Sequence, residues 1–526
     1  MSDRPQTSQP GRRGVLRGAL ATSAALALPA IGGAAAPAFA LSGRPKAGWG
    51  VQAGDVGAHS GLVWVRSDRP ARMVVETSPT ESFKKVTRWR GPLIGPDTDF
   101  TGTTRLRGLP PGEQIHYRVR LADPDDPRRT GEPVEGTFRT ASVSRRDGVR
   151  FLWSGDIAGQ GWGINPDRGG YRVYEDMRAL DPDFFLCSGD NIYADGPILP
   201  SVTLPDGRVW RNVTTEEKSK VAETLDEFRG AFRYNLLDEN LLRFNAQIPT
   251  ITQWDDHEVH NNWYPGQILS DERYTEKNVD VLSARSLRAF SEYFPVSTLP
   301  PGDADGRVYR VLRQGPLLDV FVLDMRTYRN ANSPGRQTDD ATGILGAEQL
   351  AWLKRELSRS RAVWKVIASD MPLGLVVPDG TNFEAVAQGD PGAPLGRELQ
   401  LAELLRHIKH ERITGTLWLT TDVHYTSAQH YEPSNAAYQD FEPFWEFVSG
   451  PLAAGGFKAL KLDGTFGPRQ VFIKAPDRNN TSPAETPPYF GEVEIDGGSG
   501  ELTVRLRQEG GDVLFSQTLQ PGRVGQ

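Results

Sequence analysis

Five short apolar runs in this chain of 526 residues each end in groups that can hold a cation or move a proton. They are Ser154-Gly155-Asp156, Ser188-Gly189-Asp190-Asn191-Ile192-Tyr193, Trp254-Asp255-Asp256-His257-Glu258, Ser369-Asp370-Met371-Pro372 and Thr421-Asp422-Val423-His424. A single aspartate after a strand is most often a helix cap or a turn former. Five carboxylate-bearing groups at one sheet edge repel one another and need a cation. Asp255 to Glu258 alone sets four titratable groups side by side. A tyrosinate oxygen with carboxylates and one imidazole suits a hard trivalent ion, and a set of carboxylates alone suits calcium.

Runs at 151–153, 184–187, 318–323, 364–368 and 416–420 are short and apolar on both sides of their alternation. Buried strands with helical crossovers read this way, so the chain from 146 to 526 is expected to be an α/β unit with its site beyond the carboxyl ends of the strands. Helical spacing marks 216–236, 279–294, 346–361 and 397–410. Three late strand patterns, 489–495, 501–506 and 512–516, are expected to complete the sheets. Residues 264–279, 302–306 and 330–342 have loop composition. From 41 to 145, short alternating runs and the Pro110-Pro111-Gly112 turn predict a small all-β sandwich of immunoglobulin or fibronectin type III kind.

Composition narrows the possible partners. Sixty basic residues against 67 acidic ones give a net charge of −7, which argues against a stable nucleic-acid partner or an anionic membrane. Cys187 is the only cysteine, so no disulfide framework exists. There are eight histidines, so oxygen must dominate any metal site. Residues 1–40 carry Arg12-Arg13, an apolar Ala/Leu/Gly-rich run and Ala38-Phe39-Ala40, the pattern of a cleavable twin-arginine signal. Its removal takes the net charge to −10. The mature protein is expected to be exported by the twin-arginine machinery to periplasm, wall or medium, and to have no membrane span.

Taken in order, Asp156, Asp190-x-x-Tyr193, Asp256-His257, Asp370-x-Pro372 and Asp422-x-His424 resemble the five motifs of calcineurin-like metallophosphatases. With Trp254-Asp255-Asp256-His257-Glu258 and Leu323-Asp324-Met325-Arg326, the chain is more narrowly similar to the PhoD-type alkaline phosphatase/phosphodiesterase family. The resemblance implies a metallophosphatase β-sandwich flanked by helices. It implies that Asp190 bridges two metals, with Asp156, Tyr193 and His424 completing one site and Asp256, Asp370 and Asp422 the other. It also implies iron with calcium. Asp156 stands where the family type places a cysteine, which removes a thiolate from the iron site. Asp256, Asp370 and Asp422 replace amide or imidazole ligands and shift the second site toward Ca2+. Zn2+ and Mn2+ rank below Ca2+ and Fe3+.

The reaction so implied is hydrolysis of phosphate mono- or diesters. Two cations about 3.5–4 Å apart would align and acidify an attacking water. His257 is the candidate general acid or phosphate-stabilising group, or else a residue that orients Asp256 or Glu258. Arg326 either grips phosphate bidentately or pairs with Asp324. Asn261 is a turn residue or an added ligand. Ser154, Ser188 and Ser369 have no nucleophile elbow, which disfavours a serine hydrolase. The loops 199–216 and 329–342 are expected to shape the entrance. The competing reading is a cell-wall or carbohydrate-binding protein with a degenerate, structural metal centre.

Overall fold

A computed structural model describes residues 43–299, 306–339 and 343–522. Residues 1–40, read in sequence as a twin-arginine signal, most of 302–306 and the end of 330–342 lie outside the described residues.

In the strands Val149–Ser154 and Phe184–Ser188 the stretches 151–153 and 184–187 are apolar on both faces, and the structure uses both faces. Phe151, Trp153, Phe184 and Leu186 point into one buried layer, whereas Leu152, Phe185 and Cys187 point into another. These two strands and Thr250–Gln253 run parallel at the centre of a nine-stranded sheet. A seven-stranded sheet, with Leu318–Val322, Trp364–Ala368 and Thr416–Thr420 parallel at its centre, packs against the first face through Val320, Val366, Leu417 and Phe447. Its outer face carries Phe321, Ile367 and Trp418 and is covered by helices Gly346–Arg359 and Glu398–His410. On the far side of the nine-stranded sheet lie helices Val173–Ala179 and Glu239–Gln247. The result is the expected β-sandwich flanked by helices, and Tyr489–Ile495, Leu502–Gln508 and Val513–Leu519 extend its first sheet.

The N-terminal strands form two layers around their own apolar core. One layer, Val51–Gly54, Ser60–Arg66 and Thr101–Arg107, is continuous with the nine-stranded sheet, because Gly54 pairs in parallel with Thr250. A sequence expectation changes at 216–236, where the helix begins only at Leu225. Thr224 and Glu227 form a reciprocal capping box there and fix the first turn nine residues later than composition alone suggests. Within 199–216, Ser201–Thr203 and Val209–Arg211 pair as a short hairpin. No helix among the described residues is long and apolar enough to cross a membrane.

Candidate metal centre

The loops that leave the central strands share an uncommon backbone conformation. Asp156, Asp190, Asp422, His424 and Asn262 all have positive φ, between 47° and 71°. Each such non-glycine residue costs on the order of 1–3 kcal/mol and persists only where its surroundings impose it. Aspartate and asparagine tolerate the conformation best. Gly189 allows these loops to touch, since a Cβ there would lie 2.5 Å from the Asp255 Cβ.

Three groups of potential ligand atoms result, each with its members within 4.8 Å of one another: Asp156, Asp190 and His424; Asp190, Asp256 and His257; and Asp255, Asp256 and Asp422. Asp190 belongs to the first two and Asp256 to the last two. The Tyr193 hydroxyl lies 2.9 Å from His424 Nε2, and its ring stacks on His257 at 4.1 Å between centroids. Asp370 joins none of the three groups. Its Oδ1 accepts from Gln253 Nε2 at 3.3 Å, and its Oδ2 lies 3.6 Å from Arg326 Nε.

The donor set fits cations. Both carboxylate oxygens of Asp156 are buried without a hydrogen-bond partner, as are Asp255 Oδ2, Asp256 Oδ1 and Asp370 Oδ2. Burial and the neighbouring carboxylates push Asp156, Asp190, Asp370 and Asp422 well above the usual carboxylate range. Carboxylates so disfavoured as anions are those that a bound cation restores. His424 donates from Nδ1 to the Gly455 carbonyl at 2.6 Å, and burial holds its pKa down to about 4. The neutral ring therefore turns its Nε2 lone pair toward Tyr193 and Asp156.

His257 is built the other way. Its Nδ1 is 2.8 Å from Asp195 Oδ1, and Asp195 also accepts the Asn261 backbone N–H. Burial opposes the charged ring, but Asp195 and Asp256 outweigh it and raise the pKa to about 10. Glu258 is a buried organiser of the backbone. It accepts N–H groups from Asp190 at 3.2 Å, Asn191 at 2.5 Å and Asp255 at 2.7 Å, which locks the 188–193 and 254–258 loops together. Asp195 does not stand out in sequence, though it lies two residues after Tyr193, and Glu258 is legible only as a member of the Asp255–Glu258 cluster. Asn261 contributes its backbone, while Asn262 N–H reaches Asp256 Oδ2 at 2.6 Å.

Arg326 departs from expectation. Its side chain is fully buried and neither faces open space nor pairs with Asp324, which takes only its backbone N–H. The guanidinium bonds Asp255 at 2.6 Å and Glu384, and also lies near Asp256, Asp370 and Asp422. Five carboxylates converge on one internal cation because Leu318–Val322 lies beside Trp364–Ala368 in the sheet, so Arg326 leaves its strand among theirs.

A family model described as PhoD-like phosphatase matches residues 151–506, and one described as its N-terminal domain matches 33–142. The chain belongs to the PhoD-like phosphatase family. Alkaline phosphatase D of Bacillus subtilis (strain 168) is 27% identical over 449 residues, covering 79% of this chain and 71% of that protein. A solved structure of PhoD superposes with TM-score 0.68 at 21% identity, covering 93% of this chain and 95% of that one. Purple acid phosphatase PPD1 from yellow lupin (Lupinus luteus) seeds gives 0.55 at 12% identity, over 91% and 74%. As a family member with a cation-ready centre, the protein is a metal-dependent phosphoric ester hydrolase, and the wall-binding reading is set aside.

Proposed function

We propose that this protein is an exported alkaline phosphatase that hydrolyses phosphate mono- and diesters at the centre shared by Asp190 and Asp256. The overlap of three ligand groups through these two aspartates carries the reading, because a bridging carboxylate is what a pair of close cations requires. Asp156, Asp190, Tyr193 and His424 would hold one ion, with oxygen-rich donors suited to Fe3+. Asp190, Asp256 and Asp422, with Asp255 beside them, would hold Ca2+. Asp370, one step behind, would join them or support Asp255. When bound, the cations supply Lewis acidity to phosphate oxygens and acidify the attacking water.

The remaining work belongs to the chain. Asp195 holds His257 by Nδ1, leaving Nε2 to donate a proton to the departing alkoxide. Tyr193 stacked beneath the imidazole fixes its plane. Arg326 keeps Asp255 and Asp370 in place when no substrate is present. The export reading rests on Arg12-Arg13 and the A-x-A end of residues 1–40.

Hydrolysis of a chromogenic phosphate ester at alkaline pH tests the assignment. Turnover should vanish on chelation and in Asp190→Ala, and normal turnover in that variant would refute it. Elemental analysis should find calcium with iron, and a visible tyrosinate-to-iron band that disappears in Tyr193→Phe. Zinc or manganese alone would overturn the choice of ions.

A further inference from the structure

Away from the centre, the segment that follows Glu384 closes on a second cluster of oxygens. Glu398 is fully buried at the start of the helix Glu398–His410, and Asp463 is 4% exposed. Neither has an arginine, lysine or histidine within ion-pair distance among the described residues, unlike Glu384, which meets Arg326 and Arg329. Two buried carboxylates close enough to act on each other's charge, without a counter-charge, are a costly arrangement.

The surroundings of this pair are oxygen-rich. The Asp463 carboxylate accepts the Gly389 and Thr465 backbone N–H groups, each at 2.7 Å, and so ties the 388–392 loop to the 463–465 loop. The Thr465 hydroxyl and Gln388 Nε2 both reach the Asp390 carbonyl at 3.3 Å. Gln388 is 2% exposed, and its amide lies against Glu398, with Nε2 at 3.4 Å from Oε2. Two oxygens remain buried with no partner at all, Gln388 Oε1 and Glu398 Oε1. Glu398 Oε2 also accepts the Leu395 backbone N–H at 3.1 Å, so it is Oε1 and the Gln388 amide oxygen that nothing in the chain satisfies. Burial, and then Asp463, raises the Glu398 pKa to about 7, which marks the same deficit of positive charge.

We propose that Gln388, Glu398 and Asp463, with the Thr465 hydroxyl, form a structural calcium site separate from the catalytic centre. The donors are carboxylate, amide and hydroxyl oxygens with no nitrogen or sulfur, the set that calcium takes and transition metals do not favour. Its place in the chain gives it a consequence. The stretch from Glu384 to Arg397 runs from the guanidinium cluster at the catalytic centre to this site, and Arg397 itself donates to the Phe383 and Glu384 carbonyls. A cation pinning residues 388–398 would hold Glu384 against Arg326 without touching substrate.

The test uses the full mature chain, stripped with chelator and reloaded with Ca2+ alone. Bound calcium is counted per chain, and thermal unfolding is followed with and without Ca2+. Glu398→Gln should lose about one calcium per chain relative to wild type and most of the Ca2+-dependent rise in Tm, while Asp190→Ala retains the calcium bound at this site. If Glu398 instead shares a proton with Gln388, Glu398→Gln mimics the neutral acid. It would then bind as much calcium as wild type and be at least as stable at pH 8, and that result would overturn the proposal. Should Glu398→Gln fail to fold, Asp463→Asn takes the same two measurements and must show the same loss of calcium. The count is independent of phosphatase turnover, so failure here and failure of the catalytic reading are separable.

Discussion

Asp55 and Asp156 have much in common: each follows a strand, each has positive φ, at 45° and 66°, and each has a buried side chain. Their neighbours differ. Asp55 is gripped by both arms of Arg310 at 2.8 Å and takes the Ser297 N–H at 2.6 Å, so every demand of its charge is met from within the chain. Asp156 has no hydrogen-bond partner for either oxygen. The strained turn is thus common to a structural joint and to the candidate metal centre. What separates them is whether the lone pairs are used up or kept in reserve.

The sharpest way to break this comparison is to remove the shared carboxylate. Asp190→Ala should reduce phosphoesterase turnover to background while the protein stays folded, as seen by steady-state assay and circular dichroism together. His257→Ala follows, with a loss of about 10²–10⁴-fold in kcat. Asp195→Asn, which leaves the imidazole but removes its anionic support, should lose less and shift the alkaline limb of the pH profile downward. The opposite pattern is expected at the structural joint. Asp55→Asn leaves Arg310 buried without its charge partner and should cost about 3–5 kcal/mol in urea unfolding, with unchanged turnover per folded molecule. Asp156→Asn should do the reverse, stabilising the chelated protein by about 1–3 kcal/mol while abolishing activity, because it deletes an unpaired buried charge. A stability loss in chelated Asp156→Asn would mean that its oxygens are not in reserve.

The smallest effect is one of pH. Glu446, buried beside Tyr431, is pushed up to about 7 by burial, despite bonds from Tyr431, Leu373 and Thr420. A carboxyl whose folded pKa lies above its unfolded one stabilises fully at low pH, and this contribution is lost as pH rises through the folded value. Glu446→Gln should therefore gain on the wild type in unfolding free energy between pH 5 and 8, by at most about 1.4 kcal/mol per pH unit. A flat difference across that range would mean that burial does not raise the Glu446 pKa.

Much of this was legible in the chain itself. Apolar runs at 151–153, 184–187, 364–368 and 416–420 determined buried strands, because only a doubly covered sheet makes use of side chains that are apolar on both faces. The aspartates and histidines after those runs determined where charge would gather, since strands aligned in parallel bring their carboxyl ends to one edge. Partnership could not be read. Arg326 looks like a phosphate clamp in Leu323-Asp324-Met325-Arg326, but sheet order sets it among carboxylates from 255 and 384. Glu258 and Asp195 carry no motif that distinguishes an organiser from a ligand, and Gln388, Glu398 and Asp463 are up to 75 residues apart in sequence. Residue types and periodicity thus fixed which groups this protein can bring to bear. Only packing decided which of their lone pairs are satisfied within the chain and which are left for a cation, because that depends on distances between residues far apart in sequence.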